Sequence, residues 1–175
     1  MELTPVNAGW AFVKGVDGSY KFIASLELFA TLICVILFVP RSEEKHCHGV
    51  ITLSGQTDNS GNTYVVNKLM STKFPLNVIL MELTEQLDAR GAWLDLFWKS
   101  RNANVEADAL SNFDVEGFDL AFRQETDIVN YNWLVMSELL VAGQVFEEAK
   151  AVHQPLAGTI ARRPGKKFRE LHPWQ

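Results

Sequence analysis

Apolar positions over residues 76–90 repeat with a helical period: Ile79, Leu80, Leu83 and Leu87 share one face, and Gly91 marks the stop. A second, greasier run covers 22–40, with Glu27 its only interior charge and Pro40 its end. It predicts a core helix from about Ser25, with Ser25 as cap and Glu27 in the first turn, where the helix dipole favours an anion. Shorter runs read as strands. Gly9 to Lys14 and Tyr20 to Ala24 flank a turn-rich Gly15-Val16-Asp17-Gly18-Ser19 and predict a hairpin. Val50 to Leu53 runs into the polar stretch Ser54 to Asp58, and Trp93 to Lys99 is aromatic-rich and strand-like. Ser60 is placed to cap a helix carrying Val65, Val66, Leu69 and Met70, ended by Pro75 at the latest. Asn104 is placed to cap a short helix containing Asp108.

That order is hairpin, helix, strand, helices, strand, helix. It predicts an α/β domain with a mixed sheet flanked by helices, in which strands joined by crossovers run parallel. Beyond Asn112 the pattern changes. Phe113 to Asp127 is acidic and turn-like, 133–152 predicts an amphipathic helix through Leu134, Leu139, Leu140, Val141 and Phe146, and the segment from Pro155 is basic. The expected division is therefore a domain at 1–112 and a helical extension with a basic tail at 113–175.

With 175 residues, 47% of them hydrophobic and 21% charged, the chain has enough apolar material for one core and lacks the signature of disorder. A formal charge of -5 argues against coating nucleic acid by bulk electrostatics, although an acidic active site would itself carry part of that charge. Two cysteines, Cys34 and Cys47, do not make a disulfide framework, so a reducing, intracellular compartment (cytoplasmic or nuclear) is expected. The run at 22–40, flanked by Lys21 and Arg41, has the length of a membrane span. Against that reading, Glu27 would carry a costly carboxylate to membrane depth. A buried helix and no membrane contact are the expectation, with a single-pass protein as the rival.

Three carboxylates stand at edges of predicted elements: Glu27 near a helix start, Asp58 at a strand end and Asp108 in a helix after a strand. Open α/β sheets build their sites at such strand ends and neighbouring helix termini. Acidic groups from separate elements are also what a two-metal phosphodiesterase uses to hold Mg²⁺ or Mn²⁺. Each alone has an ordinary explanation: a helix-cap acid, turn chemistry with Asn59 and Ser60, and a solvated position beside Glu106.

Four segments carry a resemblance: Gly9-Trp10-Ala11; Ile23-Ala24-Ser25-Leu26-Glu27-Leu28-Phe29-Ala30; Thr57-Asp58-Asn59; and Asn104-Val105-Glu106-Ala107-Asp108-Ala109-Leu110-Ser111. In order and spacing over 9–112, the chain resembles the ribonuclease H domain of reverse-transcribing retroelements, of the tyrosine-recombinase and pararetrovirus-like kinds. The resemblance implies a ribonuclease H-like fold with a shortened first strand. It implies that Glu27, Asp58 and Asp108 are catalytic metal ligands, that the cofactor is Mg²⁺ or Mn²⁺, and that the substrate is RNA in RNA–DNA hybrids. Glu27 and Asp58 would hold the ion that activates water, and Asp108 the second ion. It also implies an earlier aspartate a few residues before Gly9, where this chain has Thr4, a residue that cannot replace an anionic bridge. The expectation is an N-terminally truncated or degenerate copy, active only if its site is complete. The rival is an inactive scaffold or nucleic-acid-binding remnant, and the extension would dock polyprotein neighbours.

Other features get plainer expectations. His46-Cys47-His48 lacks zinc-site spacing and reads as a solvated loop. Trp93, Phe97 and Trp98 are able to stack on bases but read as core packing by default, Asp95 reads as an exposed-face residue, and the basic tail reads equally as a phosphate contact or a solvated end.

Overall fold

The computed structural model describes residues 8–11, 22–41, 49–128 and 131–153. The greasy run forms α1 (Ile23–Phe38), whose residues Ser25, Leu28, Phe29, Leu32, Ile33 and Val35 are buried at helical spacing. It begins two residues before the expected Ser25 start, with Phe22 at the cap position and no side-chain cap. Ser25 is thus an interior residue. Glu27 falls outside the first turn, which holds no acid, so the dipole argument does not place it. Tyr20 to Ala24 is not a strand in its described part, because Ile23 and Ala24 are helical. Of the expected strand at Gly9 to Lys14, Gly9–Ala11 is a 3₁₀ turn. The remainder of the expected hairpin lies outside the described residues, as do Thr4, His46-Cys47-His48 and the basic tail.

Strand β1 (Ile51–Thr57) and strand β2 (Ala92–Trp98) pair in parallel, with Ile51 opposite Ala92 and Thr57 opposite Trp98. Parallel neighbours need a crossover. Here it is α2 (Ser60–Lys68) followed by α3 (Leu76–Asp88). Asn59, not Ser60, caps α2: its side chain accepts from the Gly61 and Asn62 N–H groups. The helix ends at Leu69 in a left-handed conformation, and Gly91, at φ +60°, turns the chain from α3 into β2. Asn67 of α2 serves as a substitute strand for β2, donating to the Leu96 carbonyl at 3.0 Å and accepting from its N–H at 3.1 Å. Helix α4 (Val105–Ser111) follows a 3₁₀ turn at Arg101–Ala103, and α5 (Met136–His153) completes the described chain. Asn104 occupies the cap position of α4 but makes no side-chain capping bond. The architecture is thus α/β: five helices and a two-stranded parallel sheet among the described residues.

The core lies between α1, α3 and the inner face of β2, where Ala92, Leu94 and Leu96 are buried. Full burial of a side chain such as Leu32 or Leu83 contributes about 1.5–3 kcal/mol. Ile128 and Met136 join the same core, and Leu139 and Leu140 pack against it, so α5 is docked on α3. Phe29 stacks edge-on to Trp10 at 5.6 Å and tilted on Trp133 at 5.8 Å, tying α1 to the approach to α5. Trp93, Phe97 and Trp98, expected in the core, are exposed instead. Trp93 and Phe97 lie on the sheet face away from Leu94 and Leu96, and no described helix covers that face enough to bury them.

Helix α3 holds its neighbours by their ends. Glu82, fully buried, accepts from the main-chain N–H groups of Leu134, Val135 and Met136 at 2.8–3.0 Å, at the positive entrance of α5. One turn on, Gln86 donates to Glu82 at 2.6 Å and accepts from Arg90 at 2.6 Å. Arg90 in turn donates to the Val39 carbonyl at 2.7 Å and to the Ile36 carbonyl at 3.4 Å, at the negative end of α1. No described helix is long and apolar enough to cross a membrane. At 16 residues, α1 spans about 24 Å.

Candidate functional site

The parallel pairing directs the C-terminal ends of β1 and β2 to the same edge, and the carboxylates gather there. Asp58 directly follows β1. Helix α4, reached from β2 through the 3₁₀ turn, brings Asp108, and the second turn of α1 brings Glu27. All three line one cavity of about 740 Å³ between α1, β1 and α4, together with Arg101 and Asn104. Its deeper wall, formed in part by Val35, Leu53 and Leu96, is apolar.

Each carboxylate already has a polar partner. Glu27 accepts from the Asn59 amide at 2.5 Å and from the Asn62 amide at 3.4 Å. Asn62 is itself buried and also donates to the Ala24 carbonyl at 2.9 Å, which fixes α2 against the start of α1. The Arg101 Nε lies 3.4 Å from an Asp58 oxygen and 3.8 Å from an Asp108 oxygen. Burial pushes the Glu27 carboxyl above its ordinary range and the Asp58 charge pushes it further, while the Asn59 hydrogen bond and Arg101 pull it back.

Among the described residues no group of three or more His, Cys, Asp or Glu side chains stands close enough to hold a metal ion. The three acids share a cavity with room for solvent between them, and a guanidinium lies where two of them converge. As placed, the donor set does not fit one shared ion.

Several contributors to this site went unread in the sequence. Asn59 and Asn62 were legible only as turn and helix residues, although an Asp-Asn pair before a helix start is the signal for a capping side chain with an amide to spare. Arg101 gave no local signal, because its role arises from standing opposite two acids brought in by other elements. Trp98 donates its indole N–H to the Asp58 main-chain carbonyl at 3.1 Å and is exposed, outside the core.

No family model, curated protein or solved structure matches this chain.

Proposed function

We propose that this chain is a ribonuclease H-like domain of retroelement origin whose substrate is the RNA strand of RNA–DNA hybrids. The observation that carries the reading is the convergence of Glu27, Asp58 and Asp108 on one cavity at the C-terminal mouth of parallel strands, from three elements far apart in the chain. Helix-flanked parallel strands with acids at that mouth are a setting for phosphodiester chemistry. The nuclease reading needs Mg²⁺ or Mn²⁺, which Glu27 and Asp58 would hold as one ion and Asp108 as a second. For that the acids would have to stand closer than they do here, and Arg101 would have to leave Asp58 and Asp108. An intracellular setting, cytoplasmic or nuclear, and polyprotein neighbours belong to the same proposal.

A second reading has its own support: a ribonuclease H-like scaffold that holds nucleic acid without cutting it. The existing partners of the three acids favour it, since Arg101 and the Asn59 amide already engage them. One experiment separates the two. A 5′-labelled RNA–DNA hybrid is incubated with the full chain and 5 mM Mg²⁺ or Mn²⁺ (about that concentration suits weak sites), beside an EDTA control. The nuclease reading expects metal-dependent cleavage of the RNA strand and at least about 100-fold loss in Asp58→Asn, because removing a ligand removes charge stabilisation. Binding without cleavage in either metal selects the scaffold. Cleavage that survives Asp58→Asn removes this cavity from the reaction.

A further inference from the structure

Strand β1 is paired along one edge only. Ile51 donates to the Gly91 carbonyl and Thr57 accepts from Lys99, both on the β2 side, so the main-chain groups of Thr52, Ser54 and Gln56 point away from β2. Among the described residues no strand and no side chain meets them, whereas on β2 the Asn67 amide fills that place. The cavity runs along this open edge. Leu53, Ser54, Gly55, Gln56 and Thr57 line it without a gap, where a sheet face would present only alternate residues.

The two ends of this groove differ. At the C-terminal end of β1, Glu27, Asp58 and Asp108 put three carboxylates against the single guanidinium of Arg101. At the other end Val35, Phe38 and Val39, from the close of α1, make it apolar. An open strand edge takes an extended segment by main-chain hydrogen bonds, and side chains set the match. Here the match is cationic at the mouth and apolar beyond it. The sequence supplies such a segment. Residues 154–175 carry five Lys and Arg against one acid, while the rest of the chain carries 11 against 20, and Phe168, Leu171 and Trp174 stand among or after those cations. Its root is on the correct side. Helix α5 starts beside Glu82 and meets Phe74 at Gly143, so it runs toward the N-terminal end of α3. Helix α3 leads back into β2 through three residues, which puts that end of α3 at the mouth side of the sheet. From His153 the 13 residues to Lys166 reach up to about 40 Å when extended, beyond the roughly 30 Å width of a small domain.

We infer that the groove along the open edge of β1 is the docking site of the chain's own basic tail, with the cations of residues 162–169 at Glu27, Asp58 and Asp108 and the apolar residues of the tail toward Val35 and Phe38. A tethered segment is present at millimolar effective concentration, so it meets the groove ahead of a free partner of the same chemistry. This inference does not depend on the nucleic-acid reading above.

The test is zero-length carbodiimide cross-linking of the dilute full chain, which joins a Lys amine to a carboxylate in contact with it, read by peptide mass spectrometry of the monomeric product. Linkage of Lys166 or Lys167 to Glu27, Asp58 or Asp108 is expected to exceed linkage to Glu138, Glu147 or Glu148 of α5 by about fivefold or more, against the bias of the tether toward the acids nearest its root. Phe38, exposed at the apolar end, can be changed without opening the core. Phe38→Arg should lower the yield at the mouth acids about threefold or more, because it sets a cation where an apolar contact is expected and repels the tail. Trp93→Arg puts the same charge on the opposite sheet face and should cross-link like wild type. Circular dichroism checks that both variants are folded. Tail lysines linked chiefly to the α5 acids, or to none, overturn the docking. So does a groove yield that Phe38→Arg leaves unchanged or that Trp93→Arg lowers equally. Linkage to the mouth acids found only in a dimeric product overturns docking on the same chain and assigns the groove to a second copy's tail.

Discussion

Glu82 and Glu27 are the same residue type on neighbouring helices, and the protein treats them in opposite ways. Glu82 is wholly enclosed, yet three main-chain N–H groups and the Gln86 amide supply its acceptor oxygens, and the entrance of α5 adds a favourable dipole. Glu27 lies half-buried on the cavity with another carboxylate near it, and burial raises its carboxyl above the ordinary range. The contrast teaches that burial does not decide what a carboxylate is for. A buried acid with every lone pair met is a fastener. A half-buried acid that is incompletely compensated remains free to exchange a proton, a guanidinium or a ligand.

The fastener is where the largest effect is expected. Glu82→Ala strands three backbone donors, one buried and two part-buried, and the buried Gln86 amide, so stability should fall by about 3 kcal/mol, from about 1–3 kcal/mol for each unsatisfied buried group. Urea unfolding followed by circular dichroism reads this directly. A midpoint within error of wild type would break the comparison, because Glu82 would then be no better anchored than Glu27.

A smaller effect is expected where α5 lies on Phe74. A Cβ placed on Gly143 would overlap the Phe74 ring, so the ring or the helix must shift to admit it. Gly143→Ala should cost about 1–3 kcal/mol by overpacking, partly offset by about 1 kcal/mol of helix propensity. Urea midpoints of Gly143→Ala and of Glu82→Ala combined with it test whether both act on the same docking. Losses that simply add would show that the two contacts hold α5 independently.

The smallest effect belongs to Glu27, and its sign is opposite. Because its carboxyl sits higher in the folded protein than in the unfolded chain, the folded state binds more protons across the interval between the two values. Its contribution to stability is therefore greatest below that interval and declines as pH rises through it. Glu27→Gln removes the charge while keeping an oxygen for the Asn59 amide, so it should raise the urea midpoint at neutral pH and flatten the pH dependence just above the ordinary carboxyl range. A lower midpoint for Glu27→Gln at neutral pH would make Glu27 a second fastener and remove the contrast.

What the sequence made legible follows from which information is local. Periodicity placed α3 and α5 within a few residues of their ends, β1 was readable from a short apolar run before a polar one, and β2 from its aromatic content. The hairpin expectation failed where it is described because Ile23 and Ala24, β-branched or apolar enough for a strand, were recruited as the first turn of a helix whose face was already long. The aromatic strand misled in another way. The expectation placed Trp93, Phe97 and Trp98 together in the core, but strand alternation puts Trp93 and Phe97 on the face opposite Ala92, Leu94 and Leu96, and the small and aliphatic set won the core. The row Glu82, Gln86, Arg90 repeats at helical spacing and was visible in principle. Its meaning required knowing that the ends of α5 and α1 fall beside it.

By itself the sequence determined an α/β chain with one principal core, and it singled out Glu27, Asp58 and Asp108 from 21 acidic residues. Only the tertiary structure decided that those three acids share a cavity, that Arg101 stands between two of them, and that the Trp98 indole bonds the Asp58 carbonyl from outside the core. The reason is physical: secondary structure is written in neighbours three or four positions away, whereas a site is written in charges and donors that meet only after the strands have paired and the crossover helices have docked.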